Sequence, residues 1–118
     1  MFTISKEYHF SASHILHGLA DDHPCSRLHG HNYVVEVELR STELNDVGFV
    51  RDYRELDALK CYIDEEIDHR HLNDVLGDHN TTAELLAKHF YDWCKEHWPE
   101  VSAVRVRETP KSCAEYRP

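Results

Sequence analysis

A chain of 118 residues, 41% hydrophobic and 30% charged, has enough length for one real core and an ordinary globular balance. Its formal net charge of −9 argues against nonspecific nucleic-acid binding and against docking on an anionic membrane, while leaving room for a locally basic pocket that takes a small anion. Eleven histidines raise the expectation of metal or proton chemistry.

Residues 2–13 alternate as a strand does, with Phe2, Ile4, Tyr8, Phe10 and Ala12 on one face and Lys6 interrupting it. Residues 15–28 read as a loop, most polar at Asp21-Asp22-His23-Pro24. A second strand is predicted over 31–42, where Tyr33, Val35, Val37 and Leu39 share the face of His31. Asn45-Asp46-Val47-Gly48 is a turn. Asp52 followed by Glu55 has the form of a capping box, and Leu56, Leu59, Ile63 and Ile67 follow at helical spacing, predicting a helix over 53–66. A second box, Thr81 with Glu84, opens a helix carrying Leu85, Leu86, Phe90, Trp93 and Cys94, which Pro99 stops. Residues 101–109 and 112–117 are the third and fourth strands, joined by Pro110-Lys111.

The predicted order is ββααββ, an α+β fold with an antiparallel sheet and two helices on one face. No repeat or linker divides 1–118, so a single domain is expected. Four strands do not close a barrel, and both sheet edges stay open, so several copies are expected to assemble edge to edge. Met1 runs straight into a strand pattern, and no apolar run approaches membrane-spanning length. Cys25, Cys61, Cys94 and Cys113 lack CxxC spacing and read as reduced thiols, so a cytoplasmic location is expected.

The chemistry centres on Cys25-Ser26-Arg27-Leu28-His29-Gly30-His31. In an extended chain His29 and His31 project from one face, and Gly30 leaves the gap between them free of bulk. If the first two strands pair as a hairpin, His14 comes to face both. Three neutral imidazoles suit Zn²⁺ and leave its fourth position open. Cys25 has two readings. As a fourth ligand it makes a closed structural Cys-His₃ site, whereas as a free thiol beside a dication it is a usable base or nucleophile. Asp68-His69 offers a carboxylate-held imidazole that could relay its proton, although, taken alone, the pair is better accounted for by a solvated helix end with His69 as a favourable C-terminal cation. Glu108 shares the apolar face of Val104 and Val106. A carboxylate there needs either an arginine or a guanidine-like ligand edge, such as the N2–N3 side of a pterin or guanine.

In order, the chain carries Phe10-x-Ala12-x-His14, Cys25-x-x-x-His29-Gly30-His31, Gly48-x-Val50-x-Asp52-Tyr53, Asp68-His69, Asn80-x-Thr82-x-Glu84 and Glu108-Thr109. Together these resemble the 6-pyruvoyl-tetrahydropterin synthase family over nearly the whole length. The resemblance implies zinc on His14, His29 and His31, Cys25 as general base, and Asp68 with His69 completing a relay across a subunit boundary. It implies Glu108 anchoring the pterin with Thr109 beside it. The implied architecture is the tunnelling fold, with trimers closing a barrel and two trimers stacking into a homohexamer. The implied substrate is 7,8-dihydroneopterin triphosphate. The three residues between Cys25 and His29 favour the branch of the family that forms a 6-carboxy product, acting in queuosine (7-deazaguanine) biosynthesis, over the pyruvoyl-forming branch. Thr81 stands where proline is usual, Tyr53 where phenylalanine is, and Ser13 where alanine is common; none of the three is expected to touch a catalytic atom. Lys6, Arg27, Arg51, Arg54 and Lys111 are candidates for holding the triphosphate. A zinc hydrolase, which has no need of Cys25, and a pterin-binding module without turnover are the competing classes.

Overall fold

A computed structural model describes residues 1–77 and 80–118. Two long strands form its backbone. β1 (Phe2–His14) and β2 (His29–Ser41) pair antiparallel along their whole length, from Phe2 opposite Ser41 to His14 opposite His29. The alternation that predicts these strands also sets their faces. Tyr8, Phe10 and Ala12 of β1 and Tyr33, Val35, Val37 and Leu39 of β2 are buried on one side. Lys6 falls on that face too, but its ammonium leaves the core to meet Asp57 at 2.8 Å.

After the hairpin comes a 3₁₀ turn (Tyr53–Leu56) and then α1 (Asp57–Glu66), so the helix predicted over 53–66 is two elements. Asp52 caps the turn, its Oδ1 accepting the Arg54 N–H at 2.9 Å. Glu55 does not complete a capping box, because its carboxylate is bound by Arg51. The chain then forms β3 (Arg70–His71), a single helical turn α2 (Leu72–Val75), the long α3 (Ala83–His97), β4 (Val101–Arg107) and β5 (Ala114–Tyr116). β3 runs parallel to β1, with Ala12 opposite Arg70 and Ser13 opposite His71. The sheet is therefore mixed and five-stranded, in the order β3-β1-β2-β4-β5, rather than the four-stranded antiparallel sheet of the ββααββ expectation. It does not close on itself. β3 is two polar residues long, too short to produce any hydrophobic alternation.

The helices cover the apolar face. Leu59 and Ile63 of α1 and Leu86, Ala87, Phe90 and Cys94 of α3 join the strand residues in one core, and Phe10 stacks on Tyr33 with ring centroids 4.8 Å apart. The cap of α3 is Thr82, whose Oγ1 accepts the Leu85 N–H at 3.2 Å. Thr81, the predicted cap, is buried instead. Among the described residues no helix is long and apolar enough to cross a membrane.

Candidate active site

The hairpin register brings three histidines to one end of the sheet. His14 lies opposite His29, and Ala12 opposite His31, so residues of the same face converge there. The three rings stand edge-on to one another, with centroids 4.5, 5.2 and 5.0 Å apart. One nitrogen from each lies within 4.8 Å of the others. His14 is fully buried and the other two are half-buried.

Hydrogen bonds fix which nitrogen faces inward. His14 Nδ1 donates to the Thr81 carbonyl at 2.9 Å, with Thr81 Oγ1 at 3.1 Å, and His29 Nδ1 donates to the Arg27 carbonyl at 2.7 Å. A proton held on Nδ1 leaves the Nε2 lone pair free. The Nε2 atoms of His14, His29 and His31 are buried without a hydrogen-bond partner. Burying an unpaired polar atom is costly, and three at one point make a donor set that could hold a metal ion. Burial pushes His14 below its ordinary value, the Thr81 carbonyl opposes this, and His29, His31 and His71 add to it. The shift favours the neutral imidazole, the form that can ligate a metal.

Gly30 sits between the two β2 histidines with little space to spare. A Cβ at this position would come 3.2 Å from the Ala12 carbonyl oxygen, so a side chain would press β1 away from β2. Cys25 lies in a 3₁₀ turn (Pro24–Ser26) of the preceding loop. Its sulfur is not among the atoms of the three-nitrogen cluster.

A family model for 6-pyruvoyl tetrahydropterin synthase matches residues 3–118. The chain belongs to that family. It is 35% identical to a Bacillus subtilis 6-carboxy-5,6,7,8-tetrahydropterin synthase, over 99% of this chain and 86% of that protein. It is 34% identical to the protein of the same name from Synechocystis, over 98% of this chain and 93% of that one. The solved Caenorhabditis elegans 6-pyruvoyl tetrahydropterin synthase superposes with a TM-score of 0.87 at 28% identity, covering 99% of this chain and 95% of that one. This family of pterin synthases has the tunnelling fold, and the chain shares it.

The remaining residues singled out from the sequence fall into two groups. Glu108, just beyond the end of β4, stands at the histidine end of the sheet, with Oε2 3.8 Å from His31 Nε2. Arg105 and Arg107 point to the other face and pair with Glu36 and Glu38, and among the described residues no arginine pairs with Glu108. Thr109 is exposed, and its hydroxyl serves a turn, 3.2 Å from Ser112 Oγ. Asp68 and His69 form a pair on the β3 side. Asp68 Oδ2 meets His69 Nδ1 at 2.8 Å, and Asp68 Oδ1 accepts the Ser11 N–H at 2.9 Å. The Ser11 amide, and after it His69, holds the Asp68 carboxyl below its ordinary value. His69 has φ 59°, a left-handed conformation uncommon outside glycine that persists only where the surroundings impose it. Its ring is largely exposed. Among the described residues no hydrogen bond joins His69 to Cys25; the His69 ring meets Asp68, and the Cys25 N–H donates to His23.

Several residues that position the site were not evident in the sequence. His23 Nδ1 accepts the Cys25 N–H at 3.0 Å, and Leu16 N–H donates to the Cys25 carbonyl at 3.0 Å, so the thiol's backbone is held from both sides. The signal for His23 was its place directly before Pro24, a helix-opening proline. Asn73 and Asn80 each clamp the backbone of the loop after His14 with two bonds, Asn73 at Ile15 and Asn80 at His17, all between 2.9 and 3.0 Å. Of the departures from the family pattern, one reaches a residue of the predicted site and one a residue outside it. Thr81 touches His14, and Ser13 Oγ lies 2.9 Å from His71 Nδ1.

Proposed function

We propose that this protein converts 7,8-dihydroneopterin triphosphate to 6-carboxy-5,6,7,8-tetrahydropterin, releasing acetaldehyde and triphosphate, as a zinc-dependent carbon–carbon lyase of queuosine (7-deazaguanine) biosynthesis. The observation that carries the reading is the trio of buried, unpartnered Nε2 atoms on His14, His29 and His31, which would hold one zinc ion. The carboxy-forming branch is supported by the three-residue gap between Cys25 and His29 and by the names of the two bacterial relatives.

The chemistry a bound zinc ion supplies is Lewis acidity toward the substrate's side-chain oxygens, which makes their protons and the adjacent C–H more acidic. The chain's own residues do the rest. Glu108 accepts two N–H groups from the guanidine-like edge of the pterin, with Thr109 beside it, and its nearness to His31 sets the ring next to the histidine cluster. The Cys25 thiolate takes the proton from the side chain. His69, oriented by Asp68, receives that proton and returns it. No hydrogen bond joins Cys25 to His69 within the chain, and in this reading the relay closes between neighbouring subunits. β1 leaves most of its outer edge for such a neighbour, since β3 covers only Ala12 and Ser13. A homohexamer of two stacked trimers, working in the cytoplasm, completes the reading.

The test is to incubate zinc-loaded protein with dihydroneopterin triphosphate and analyse the products by mass spectrometry. Acetaldehyde with carboxytetrahydropterin is the expected result. A pyruvoyl product from elimination of triphosphate would place the chain in the other branch, and pterin binding with neither product would make it a binding module.

A further inference from the structure

Away from the histidine cluster, the seam between α1 and α3 carries a group of rings that the proposed reaction does not use. Tyr62 of α1 places its hydroxyl oxygen 2.6 Å from His89 Nε2 on α3. Its ring stacks on Trp93 with centroids 4.8 Å apart and planes at 12°, and Trp93 stacks on His97 at 3.8 Å and 18°. His89, Trp93 and His97 follow one another at intervals of four residues, so α3 presents them as one stripe. Burial, then Glu66 and Cys94, push Tyr62 above its ordinary value, and burial pushes His89 below its own with Asp92 opposing. The phenol therefore keeps its proton and the imidazole keeps a lone pair. Among the described residues nothing else accepts from the Tyr62 hydroxyl, so it donates to Nε2. The other tyrosines among those residues have no comparable base. Tyr8 donates to Asp57 at 2.8 Å, a carboxylate that Lys6 holds below its ordinary value. The Tyr33 hydroxyl is 3.4 Å from His14 Nδ1, a nitrogen whose proton is already directed at Thr81.

We infer that Tyr62 and His89 form a one-electron redox site, with Trp93 as its relay to the surface. Removing an electron from a phenol makes its O–H strongly acidic, and a base within hydrogen-bond reach can take the proton in the same step. The oxidant is a diffusing one-electron radical of the azidyl or carbonate class. Trp93 is only half-buried whereas Trp98 is buried, so the radical takes its electron from the Trp93 indole and leaves as the anion. Tyr62 then passes one electron across the stack to the indole radical cation. Its O–H bond breaks, and the proton goes to the lone pair of His89 Nε2. The products are a restored Trp93, a neutral Tyr62 phenoxyl radical and a His89 imidazolium, whose charge Asp92 favours. One electron from a small reductant such as ascorbate, with the proton returning from His89, resets the pair. The site thus draws oxidising equivalents that reach the outer surface of α3 to one defined side chain.

The test is pulse radiolysis of the full-length, zinc-loaded protein in azide solution, with the indolyl and phenoxyl absorption bands reporting the two radicals. Wild type is expected to show indolyl decay matched by a delayed phenoxyl rise, at a rate independent of protein concentration and slower in heavy water. Tyr62→Phe keeps the stacked ring and is expected to abolish the delayed rise, as is Trp93→Phe. His89→Gln can accept the hydrogen bond but not the proton, and is expected to slow the rise about tenfold or more. A delayed rise unchanged in Tyr62→Phe or in Trp93→Phe overturns the proposal, as does a rate that neither His89→Gln nor heavy water alters. None of these readouts involves turnover of a pterin, so this site and the proposed reaction stand or fall separately.

Discussion

β2 buries polar side chains at both of its ends, and the two ends treat them in opposite ways. Near its C-terminal end Glu38 is buried, and its carboxylate is fully occupied. It accepts from Ser102, from Arg105 at 2.7 Å and from Arg117 at 2.8 and 3.2 Å, with Arg40 at 3.3 Å. At the N-terminal end His29 and His31, with His14 across the hairpin, leave three buried nitrogens unpaired. A saturated polar cluster is framework, whereas an unsaturated one held at a fixed geometry awaits a ligand. Burial opposes ionisation of Glu38, but the bonds from Arg117, Ser102 and Arg105 outweigh it and bring its carboxyl from 4.5 down to about 2.

The contrast predicts a clean division between loss of metal and loss of stability. The largest effect is expected from His29→Ala, which should bring the zinc content to background and abolish turnover. The urea midpoint of the metal-free protein should stay near that of metal-free wild type, and a large drop would mean that the histidines are framework too. Cys25→Ala should retain its zinc while kcat falls by about a hundredfold or more; loss of the ion instead would make the sulfur a ligand. Glu38→Gln should cost about 2–3 kcal/mol in urea unfolding, because it leaves arginines facing an uncharged amide, with zinc stoichiometry intact. The carboxyl is depressed in the folded state, so its contribution is complete above 4.5 and fades as the pH falls toward 2. Comparing wild type with Glu38→Gln in unfolding experiments across that window should show the difference shrinking with acid. The smallest effects separate two adjacent residues. Thr82→Ala should lose about 1 kcal/mol with the cap of α3 and leave zinc affinity alone. Thr81→Val should weaken zinc by only a few-fold, as read by chelator competition, because the Thr81 carbonyl still holds His14.

Legibility from the sequence followed the length of each pattern. Thirteen alternating residues in each long strand were enough to place the hairpin, and the hairpin placed His14 against His29 and His31 without further information. The period of two also gave the right face to Glu108. Short elements left no trace, because Arg70 and His71 form a strand only through their pairing with Ala12 and Ser13. The misplaced cap had another cause. Thr81 with Glu84 fits the spacing of a capping box, but tertiary contact with His14 draws Thr81 into the core, and Thr82 takes the cap. The pairing of Asp68 with His69 followed from adjacency in the sequence, but nothing in a pattern of one or two residues could say what the exposed His69 ring serves.

The continuous pairing of β2 with β1 also determines where the gene can tolerate changes in length. Deleting or inserting one codon between His29 and Leu39 would turn every residue on one side of the change to the opposite face, exchanging imidazoles or valines for their polar neighbours. The loop over 15–28 has no such register to keep. Drift in the number of residues should therefore accumulate there, ahead of the histidines, while the stretch that follows them stays constant in size.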